Sequence, residues 1–524
     1  MEVHTTGHEV RTVKTASEEF AFFFSHTLEL IHQCEQRLLE SPGNFKEVER
    51  TLSHAFKKGA GMVTAGLLNT TSKGSFVLAQ VQELQQSSDT PLRSPTRQTI
   101  FIRLLCGLLL QVTTLYCAPK SKRSGSTDPT EVRAGLYPEL AAYGFAKKSS
   151  AAFEDHITRR AALHPSFEVA TRELHQEGID INVKEVRRIA LQCGESLLAM
   201  RLILVQAFLA STLQSGYELA GKRVVVEIDG GRMKLRKNKA PTRKSQGKHP
   251  KYDTDWREPK LLIIYTVDAR GKKEEQSRVW MDGTFQGPDH LSELLATWLH
   301  RLGASQAESV TFIADGAPWI WDRFDWVVET LKLPRAKVQY VLDFYHATHH
   351  ISLALGDLSL EEEDRKRYYR ELRSELRHSR WQVVIRRLEE LGSDLLSEGD
   401  SVFSRELRFI RKHGKLGHLN YTTYTRRGLP LGSGAVESAI RRVINLRLKG
   451  NGMFWTGENA ESMLQVRCQL LSSEWDVRLE ELYKHRLKTR RRKWQWQAAE
   501  CSRKAQSEKK QKINMAESPE TIAR

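Results

Sequence analysis

The chain has 524 residues, enough for several domains that each bury a core, and its 81 Lys and Arg against 64 Asp and Glu leave a formal net charge of +17. That excess suggests a polyanionic partner, because neutralising phosphates releases condensed counterions, although a basic but ordinary enzyme has the same balance. Six cysteines (34, 106, 117, 193, 468 and 501) form no CxxC pair and have no histidines at zinc spacing, which argues against a disulfide framework or zinc ribbon and for reduced thiols.

Residues 1–98 read as a helical N-terminal region followed by a linker. Phe20, Phe23, Leu28, Ile31 and Leu38 recur at roughly helical spacing within residues 16–85, and Ser41-Pro42-Gly43-Asn44 breaks the pattern. The polar stretch 86–98 supplies the linker. Residues 99–149 read as a small β-hairpin region. Ile100 to Cys117 is the most apolar stretch, but it is rich in strand formers and contains Arg103, Gly107 and Gln111, which favours a buried hairpin over a membrane span. The opening sequence MEVHTTGHEVRTVKT has no apolar signal core.

Residues 150–220 predict two helices joined by a turn. Ser166 to Gln176 places Phe167, Ala170 and Leu174 on one face, and the turn EGIDI follows. Asn182 reads as an N-cap, with Glu185 as its capping-box partner. The second helix turns Val183, Val186, Ile189 and Ala190 inward and Lys184, Arg187 and Arg188 outward. This is the helix-turn-helix pattern, whose second helix enters a major groove; an ordinary helical hairpin has the same signature.

From residue 221 the texture changes. RVVVEIDG, KLLIIYTVDA and RVWMDGTF predict three successive strands. The amphipathic helix GPDHLSELLATWLHRLG, the strand SVTFIADG, the helix PWIWDRFDWVVETLKL and the strand VQYVLDFYH follow, suggesting a mixed sheet flanked by helices over residues 221–345. Residues 346–430 are helical and charged, as an insertion would be, and 431–475 return to the core. Residues 476–524 form a basic tail in which KHRLKTRRRK has seven Lys or Arg in ten, a composition usual for solvated or partly disordered chain.

Three acids stand out. Asp229 and Asp315 each end a β-branched apolar run and are followed by Gly, and Glu437 lies just inside a helix introduced by Gly432-Ser433-Gly434. Strand ends present a rigid side chain at the sheet rim. Three converging carboxylates suit two hard divalent cations, Mg²⁺ or Mn²⁺, of the kind that act on phosphodiesters. Asp-Gly is also a common turn after any strand, and Glu437 at i+4 from Arg441 also fits a surface ion pair. Glu227, on the same strand face as Asp229, and Asp268 and Asp282, which also end strands, remain rivals.

In DFYHATHH, His346 and His350 are four apart on a helix, as a metal pair would be, whereas Asp343 and His346 alternatively orient neighbouring groups or contact phosphate. The stretch 232–260 is dense in cations, with Arg232, Lys234, Arg236, Lys237, Arg243 and Lys244, and carries Tyr252 and Trp256. It reads either as a surface loop or as a DNA clamp that neutralises phosphates and stacks bases. Arg441, Arg442, Arg447 and Lys449 follow Glu437 and are further candidates for phosphate contact. Trp280, Trp298, Trp319, Trp321 and Trp326 read as core.

The series VVVEIDGGRMKLR, TFIADGAPWIW, DFYHATHH and GSGAVESAIRRVINLRLKGNGMFWTGENAESMLQVR resembles the DDE transposases of bacterial insertion sequences. The resemblance is to the Kra-type and Lre-type groups, which are similar to the Mutator-like transposases, and it covers about residues 150–475. It implies a ribonuclease-H-like α/β catalytic domain with a mixed five-stranded sheet. An all-α insertion would interrupt that domain, and a mostly helical DNA-binding region would precede it. It also implies that Asp229, Asp315 and Glu437 are the catalytic, metal-binding triad, with two Mg²⁺ or Mn²⁺ ions per site. The activity implied is cleavage of element ends and their joining to target DNA. The partners implied are terminal inverted repeats, target DNA and a homodimer or higher multimer, in the cytoplasm at the bacterial nucleoid and with no membrane. One departure is that relatives often carry a Cys-x-x-Cys segment before the helix-turn-helix, where this chain has only Cys117. A catalytically silent DNA-binding descendant, or a nuclease of the same fold without strand transfer, are the alternatives.

Overall fold

The computed structural model describes residues 2–4, 10–86, 92–120, 135–145, 148–238, 252–275, 277–396, 401–450, 453–472 and 474–488. They form a mixed α/β protein that divides into two compact units. The first contains the chain up to Ile203 together with Gln465–Leu470 and the segment from Glu474; the second contains Leu204–Leu464 and Leu471–Ser473.

In the first unit, strands β1 (Glu2–His4), β2 (Val10–Thr12), β3 (Thr96–Arg103) and β4 (Leu109–Tyr116) make an antiparallel sheet in the order β2-β1-β4-β3. The hairpin expected from Ile100 is present, and its first strand begins at Thr96, inside the stretch read as linker. Ile100, Ile102, Leu110 and Val112 face a core shared with Ala65 and Leu68. Helices α1 (Ala16–Glu40), α2 (Phe45–Thr71) and α3 (Ser75–Gln86) account for the helical periodicity, and Pro42–Asn44 forms the expected break as a 3₁₀ turn. A capping box, Thr15 with Glu18, starts α1. The apolar periodicity of α1 overstates its burial, since Phe20, Phe24 and Leu28 are all more than half exposed.

Helices α4 (Pro138–Ala142), α5 (Ala151–Leu163) and α6 (Phe167–Gln176) follow, and α7 (Val183–Leu209) starts in this unit. Ser166 caps α6 through Val169 N–H at 3.2 Å, and the Asn182 side chain accepts from Glu185 N–H at 2.9 Å. Only half of the predicted second capping box forms, because Glu185 turns away to make a two-pronged ion pair with Arg188. The α7 helix runs for 27 residues, well past the Val183–Ala190 stretch that carried the pattern. The expected tail begins as a helix, α17 (Trp475–Lys488), and the remainder of that tail lies outside the described residues.

The second unit is organised by a five-stranded sheet of β5 (Arg223–Gly230), β8 (Lys260–Val267), β9 (Trp280–Thr284), β10 (Ser309–Ala314) and β11 (Val338–Leu342). The order is β11-β10-β5-β8-β9, with β11, β10 and β5 parallel and β8 and β9 antiparallel. The near-continuous apolar sequence of β5 and β8 reflects burial on both faces. Helix α8 (Pro288–Arg301) packs over β8 and β9, and α9 (Pro318–Thr330) packs on α8 and β10. The stretch read as a basic loop instead forms a ribbon of β6 (Met233–Asn238) and β7 (Tyr252–Arg257), joined in parallel by β12 (Trp455–Thr456). Helices α10 (Phe344–Gly356), α11 (Glu362–Arg377), α12 (Trp381–Leu391), α13 (Val402–Lys415) and α14 (Tyr421–Arg426) fill the expected helical segment, with α10 packed on α11 and α13. The chain then returns through α15 (Gly434–Ile440) and α16 (Gly457–Leu471).

Two histidines stiffen this helical segment. Nδ1 of His413 and Nδ1 of His418 share a hydrogen bond at 3.0 Å, and His418 stacks on Trp321 with centroids 4.2 Å apart. Burial, and for His413 the neighbouring His418, pushes them down to about 3 (His413) and about 4 (His418). The unfolded chain protonates both near pH ~6.5, so the stability they confer is complete above that pH and lost as pH falls toward the folded values. Urea unfolding of the full chain should therefore weaken below about pH 6.5, by up to about 1.4 kcal/mol per pH unit for each histidine. In His418→Phe the dependence should flatten; an unchanged slope in that variant would assign the acid sensitivity elsewhere.

Candidate active site

The site is a consequence of strand register. Strands β5 and β10 run parallel with Ile313 beside Glu227, so two further residues place Asp315 beside Asp229. Strands β10 and β11 run parallel with Ala314 beside Leu342, so one further residue places Asp343 beside Asp315. Adjacent strands lie about 4.8 Å apart and in-register neighbours share a face. Asp229, Asp315 and Asp343 therefore form one row at the C-terminal ends of three parallel strands. Glu227, two residues before Asp229, faces the same side and accepts a hydrogen bond from Val436 N–H of α15 at 2.8 Å. This is the side of the sheet that receives the helix bearing Glu437, which packs over β5 and β8.

Each aspartate is set by its local turn. Asp229 accepts from Gly230 N–H at 2.6 Å and Asp315 from Ala317 N–H at 3.0 Å. Gly316 has φ of +94°, and a Cβ there would lie 2.5 Å from the Phe409 ring, so the turn that exposes Asp315 requires glycine. Asp229 and Asp315 are half-buried and Glu437 is exposed. Burial, and then the charges of Asp315 and Glu437, push Asp229 up to about 6, against the lowering pull of Gly230 N–H and His346. The charges of Asp315, Glu437 and His346 thus bear on Asp229.

Asp343 is 1% exposed and every acceptor direction is taken. One oxygen accepts from Tyr345 and His346 N–H at 2.6 and 2.9 Å, capping α10; the other accepts from Ser433 N–H and Oγ, both at 2.5 Å. Burial alone would raise this carboxyl, but the His346 side chain and Ser433 hold it at about 2. The His346 ring, 3.8 Å from it, is raised by that carboxylate and by the Asp315 and Asp229 charges. Oxygen and nitrogen atoms of Asp343, His346 and Glu437 lie within 4.8 Å of one another, the spacing of a metal cluster. Asp343 already accepts from four donors, and that group of atoms does not include Asp229 or Asp315.

The rivals separate cleanly. Asp268 is a half-buried turn acid that accepts from Arg270 and Lys272 N–H. Asp282 is fully buried and holds the Trp298 indole at 2.9 Å. Glu227 is fully buried too, held by Tyr265 Oη at 2.5 Å as well as by Val436, and burial raises it to about 7. His350 does not join His346, because its Nδ1 is hydrogen-bonded to buried Glu406 and its ring stacks on Phe409. No Glu437–Arg441 ion pair occurs among the described residues.

The basic residues fall into three groups. On the ribbon, Arg232 and Lys234 lie over the exposed Trp256 ring at 4.6 and 5.0 Å, and Arg236 lies over Tyr252 at 4.8 Å. Phe454 joins Tyr252 at 5.7 Å, extending a surface of alternating cations and rings. Lys237 is exposed beside them, while Arg243 and Lys244 lie outside the described residues. After Glu437, Arg441, Arg442 and Lys449 are exposed. Arg447 is a correction: a π-turn over Arg441–Asn445 carries it inward, where it is 1% exposed and its guanidinium lies over Trp455 at 5.0 Å, so it is not open to a phosphate. In the first unit Lys184 and Arg187 are exposed, whereas Arg188 is committed to Glu185.

The tethers Asp343–Ser433 and Glu227–Val436 were not foreseen. Their only sequence signal was the position of each acid, one before a helix and one inside a strand. Asp343→Asn should lower unfolding free energy by about 3 kcal/mol, since an amide cannot accept from four donors and leaves buried N–H groups unpaired. Ser433→Ala, which removes only the Oγ bond, should cost about 1 kcal/mol. Urea titrations read both, and equal effects would deny that Asp343 is the hub.

No protein-family model matches the chain, and no curated protein matches it. Among solved structures, the Drosophila P element transposase strand transfer complex is similar with a TM-score of 0.21 and 14% identity, over 63% of this chain and 80% of that chain. A score of that size does not align the two folds.

Proposed function

We propose that the second unit is a ribonuclease-H-like nuclease and strand transferase acting on DNA, of the DDE transposase type. The observation that carries the reading is the in-register row of Asp229 and Asp315 with Glu437 delivered above it from a segment over a hundred residues later in the chain. Nothing in the packing of the sheet requires two half-buried aspartates at adjacent strand ends, and their mutual repulsion opposes folding.

The donor set fits a hard divalent cation, Mg²⁺ or Mn²⁺. It is all carboxylate oxygen at Asp229, Asp315 and Glu437, with a raised Asp229 that a positive charge would restore to the ionised form. Bound there, the metal would supply charge stabilisation at a phosphodiester and a more acidic water. Asp343 and Glu227 keep the Glu437 helix in place. His346 adds a raised imidazole beside the row, suited to a phosphate oxygen. In the first step, water adds at phosphorus and the 3′-oxygen of the element end departs with a proton. In the second, that 3′-hydroxyl attacks a target phosphodiester and displaces its 3′-oxygen. The protein contributes placement and charge.

The exposed ribbon cations with Trp256 and Tyr252, and Arg441, Arg442 and Lys449 near Glu437, supply phosphate contacts; Lys184 and Arg187 in the first unit supply others. Arg243 and Lys244 extend the ribbon's charge. Joining two ends calls for a dimer or higher multimer on DNA.

Full-length protein with a plasmid bearing element ends should nick it in Mg²⁺ and not in EDTA. Asp229→Ala, Asp315→Ala and Glu437→Ala should each lose cleavage by about a thousandfold or more while retaining end binding. Joined products with a second plasmid distinguish transfer from a simple nuclease. Normal cleavage by all three variants refutes the site. Removing Lys234 and Arg236 together should weaken DNA binding across sequences and lower the slope of log affinity against log salt by about 0.9 for each phosphate no longer neutralised. An unchanged slope takes the ribbon out of the interface.

A further inference from the structure

Beside the acid row, a cavity of about 730 Å³ opens between the start of α10, the turn before α15 and one face of α11. Phe344, Tyr345 and Gly432 line one side, and Arg370, Arg373 and Arg377 line the other. The arginines recur at i, i+3 and i+7, so α11 presents all three from one stripe. All three are exposed and none has a carboxylate partner among the described residues, although their neighbours Arg367 and Arg380 pair with Asp364 and Glu375 at 2.7 and 3.2 Å. Arg367 and Arg380 are thus engaged by acids close in sequence, whereas the cavity-facing arginines are left for something else.

Two of them are pre-set. Arg373 and Arg377 lie over the buried Phe344 ring at 5.5 and 5.3 Å, which fixes their planes and reduces the entropy lost on gripping an anion. Tyr345, next in sequence, is 66% exposed and meets Phe344 edge-on at 5.9 Å, leaving a ring face open at the cavity mouth. Three guanidinium forks opposite an open aromatic face, in a volume suited to a small ligand, match a group with phosphate at one end and a flat ring at the other. No carboxylate lines the cavity.

We infer that this pocket binds a phosphate-bearing nucleotide unit, with the phosphate on Arg370, Arg373 and Arg377 and the base against Tyr345. The floor is tied to the acid row, because Tyr345 N–H is held by Asp343 and Gly432 precedes the Ser433 that Asp343 also holds. The favoured source is therefore a nucleotide turned out of a DNA strand lying across that row, which rests on the DNA reading above. A free nucleotide has the same chemistry.

The test uses the full chain without divalent metal. A fluorescein-labelled, mixed-sequence single-stranded oligonucleotide is followed by anisotropy, and ATP, GTP and dTTP by calorimetry. Arg370→Ala leaves the Phe344 stack intact, Tyr345→Ala removes the open ring, and Lys234→Ala with Arg236→Ala reports the ribbon separately. Loss of oligonucleotide affinity by about tenfold in Arg370→Ala and in Tyr345→Ala supports the pocket with a strand as source. Mononucleotide binding that both variants abolish supports it with a free nucleotide as source. If the oligonucleotide binds and responds to the ribbon variant but not to either pocket variant, and no mononucleotide binds, the pocket assignment is overturned while the DNA reading stands. If wild type binds no DNA, the DNA reading falls, and the mononucleotide arm still decides the pocket.

Discussion

The geometry of the second unit hangs on two buried carboxylates that reach forward in sequence to seize the N-terminus of one short helix. Glu227, in the middle of β5, accepts from Val436 N–H, and Asp343, just past β11, accepts from Ser433 through both backbone and hydroxyl. A seven-residue helix has little stability of its own. Its first N–H groups have no partner inside the helix, and its positive end attracts negative charge. Anchoring that end to two acids of the sheet satisfies the orphan donors and fixes the direction in which Glu437, one residue past Val436, projects. The raised value of Glu227, about 7, and the lowered value of Asp343, about 2, show two solutions to burying a carboxyl. The first has two donors against burial and the nearby charges of Asp343 and Glu437; the second has four and a neighbouring imidazole.

The same anchoring explains how like charges are tolerated. Asp229, Asp315 and Glu437 would drift apart if each sat on a loose loop. Here two end parallel strands whose register is fixed by buried partners such as Val226 and Phe312, and the third rides on the tethered helix. Asp229 is raised first by its burial and then by those neighbouring charges. An arrangement that stores unfavourable charge at a sheet rim, on a chain with net charge +17, is coherent when its partners are a cation and a polyanion.

Much of this was legible in the sequence, for definite reasons. The strands ending at Asp229 and Asp315 were visible because doubly buried strands read as continuous β-branched runs, and α8 and α9 because their apolar periodicity is helical. The ribbon was missed: Met233 and Leu235 alternate with Lys234 and Arg236, but the dense charge of 232–260 hid a period of two. One of these strands also pairs edge to edge with Trp455–Thr456, a partner separated by over two hundred residues that no local pattern reveals. Arg447 was read as a phosphate contact only because it follows Glu437 among other cations, and that run does not show the π-turn after which it points inward. The arginines of α11 were countable at i, i+3 and i+7, but only the fold shows that they face Tyr345 rather than water.

The helical segment between β11 and α15 raises a last structural question: how nearly ninety residues can be inserted between two parts of one site without loosening it. Asp343 answers it with its two oxygens. One caps α10, where the segment departs; the other holds Ser433, where it returns. Both ends of the excursion are therefore pinned to a single strand terminus, and Phe344 N–H bonded to Leu431 O at 2.8 Å closes the neck. The segment also touches the row within its span: the Phe409 ring of α13 lies close over Gly316, next to Asp315, and Tyr421 Oη of α14 donates to Leu342 O, next to Asp343, at 2.9 Å. Groups at the neck itself, Tyr345 and Gly432, still share the tether with the acids, so a ligand gripping that neck would act on the Glu437 helix through one carboxylate rather than through a long path of side chains.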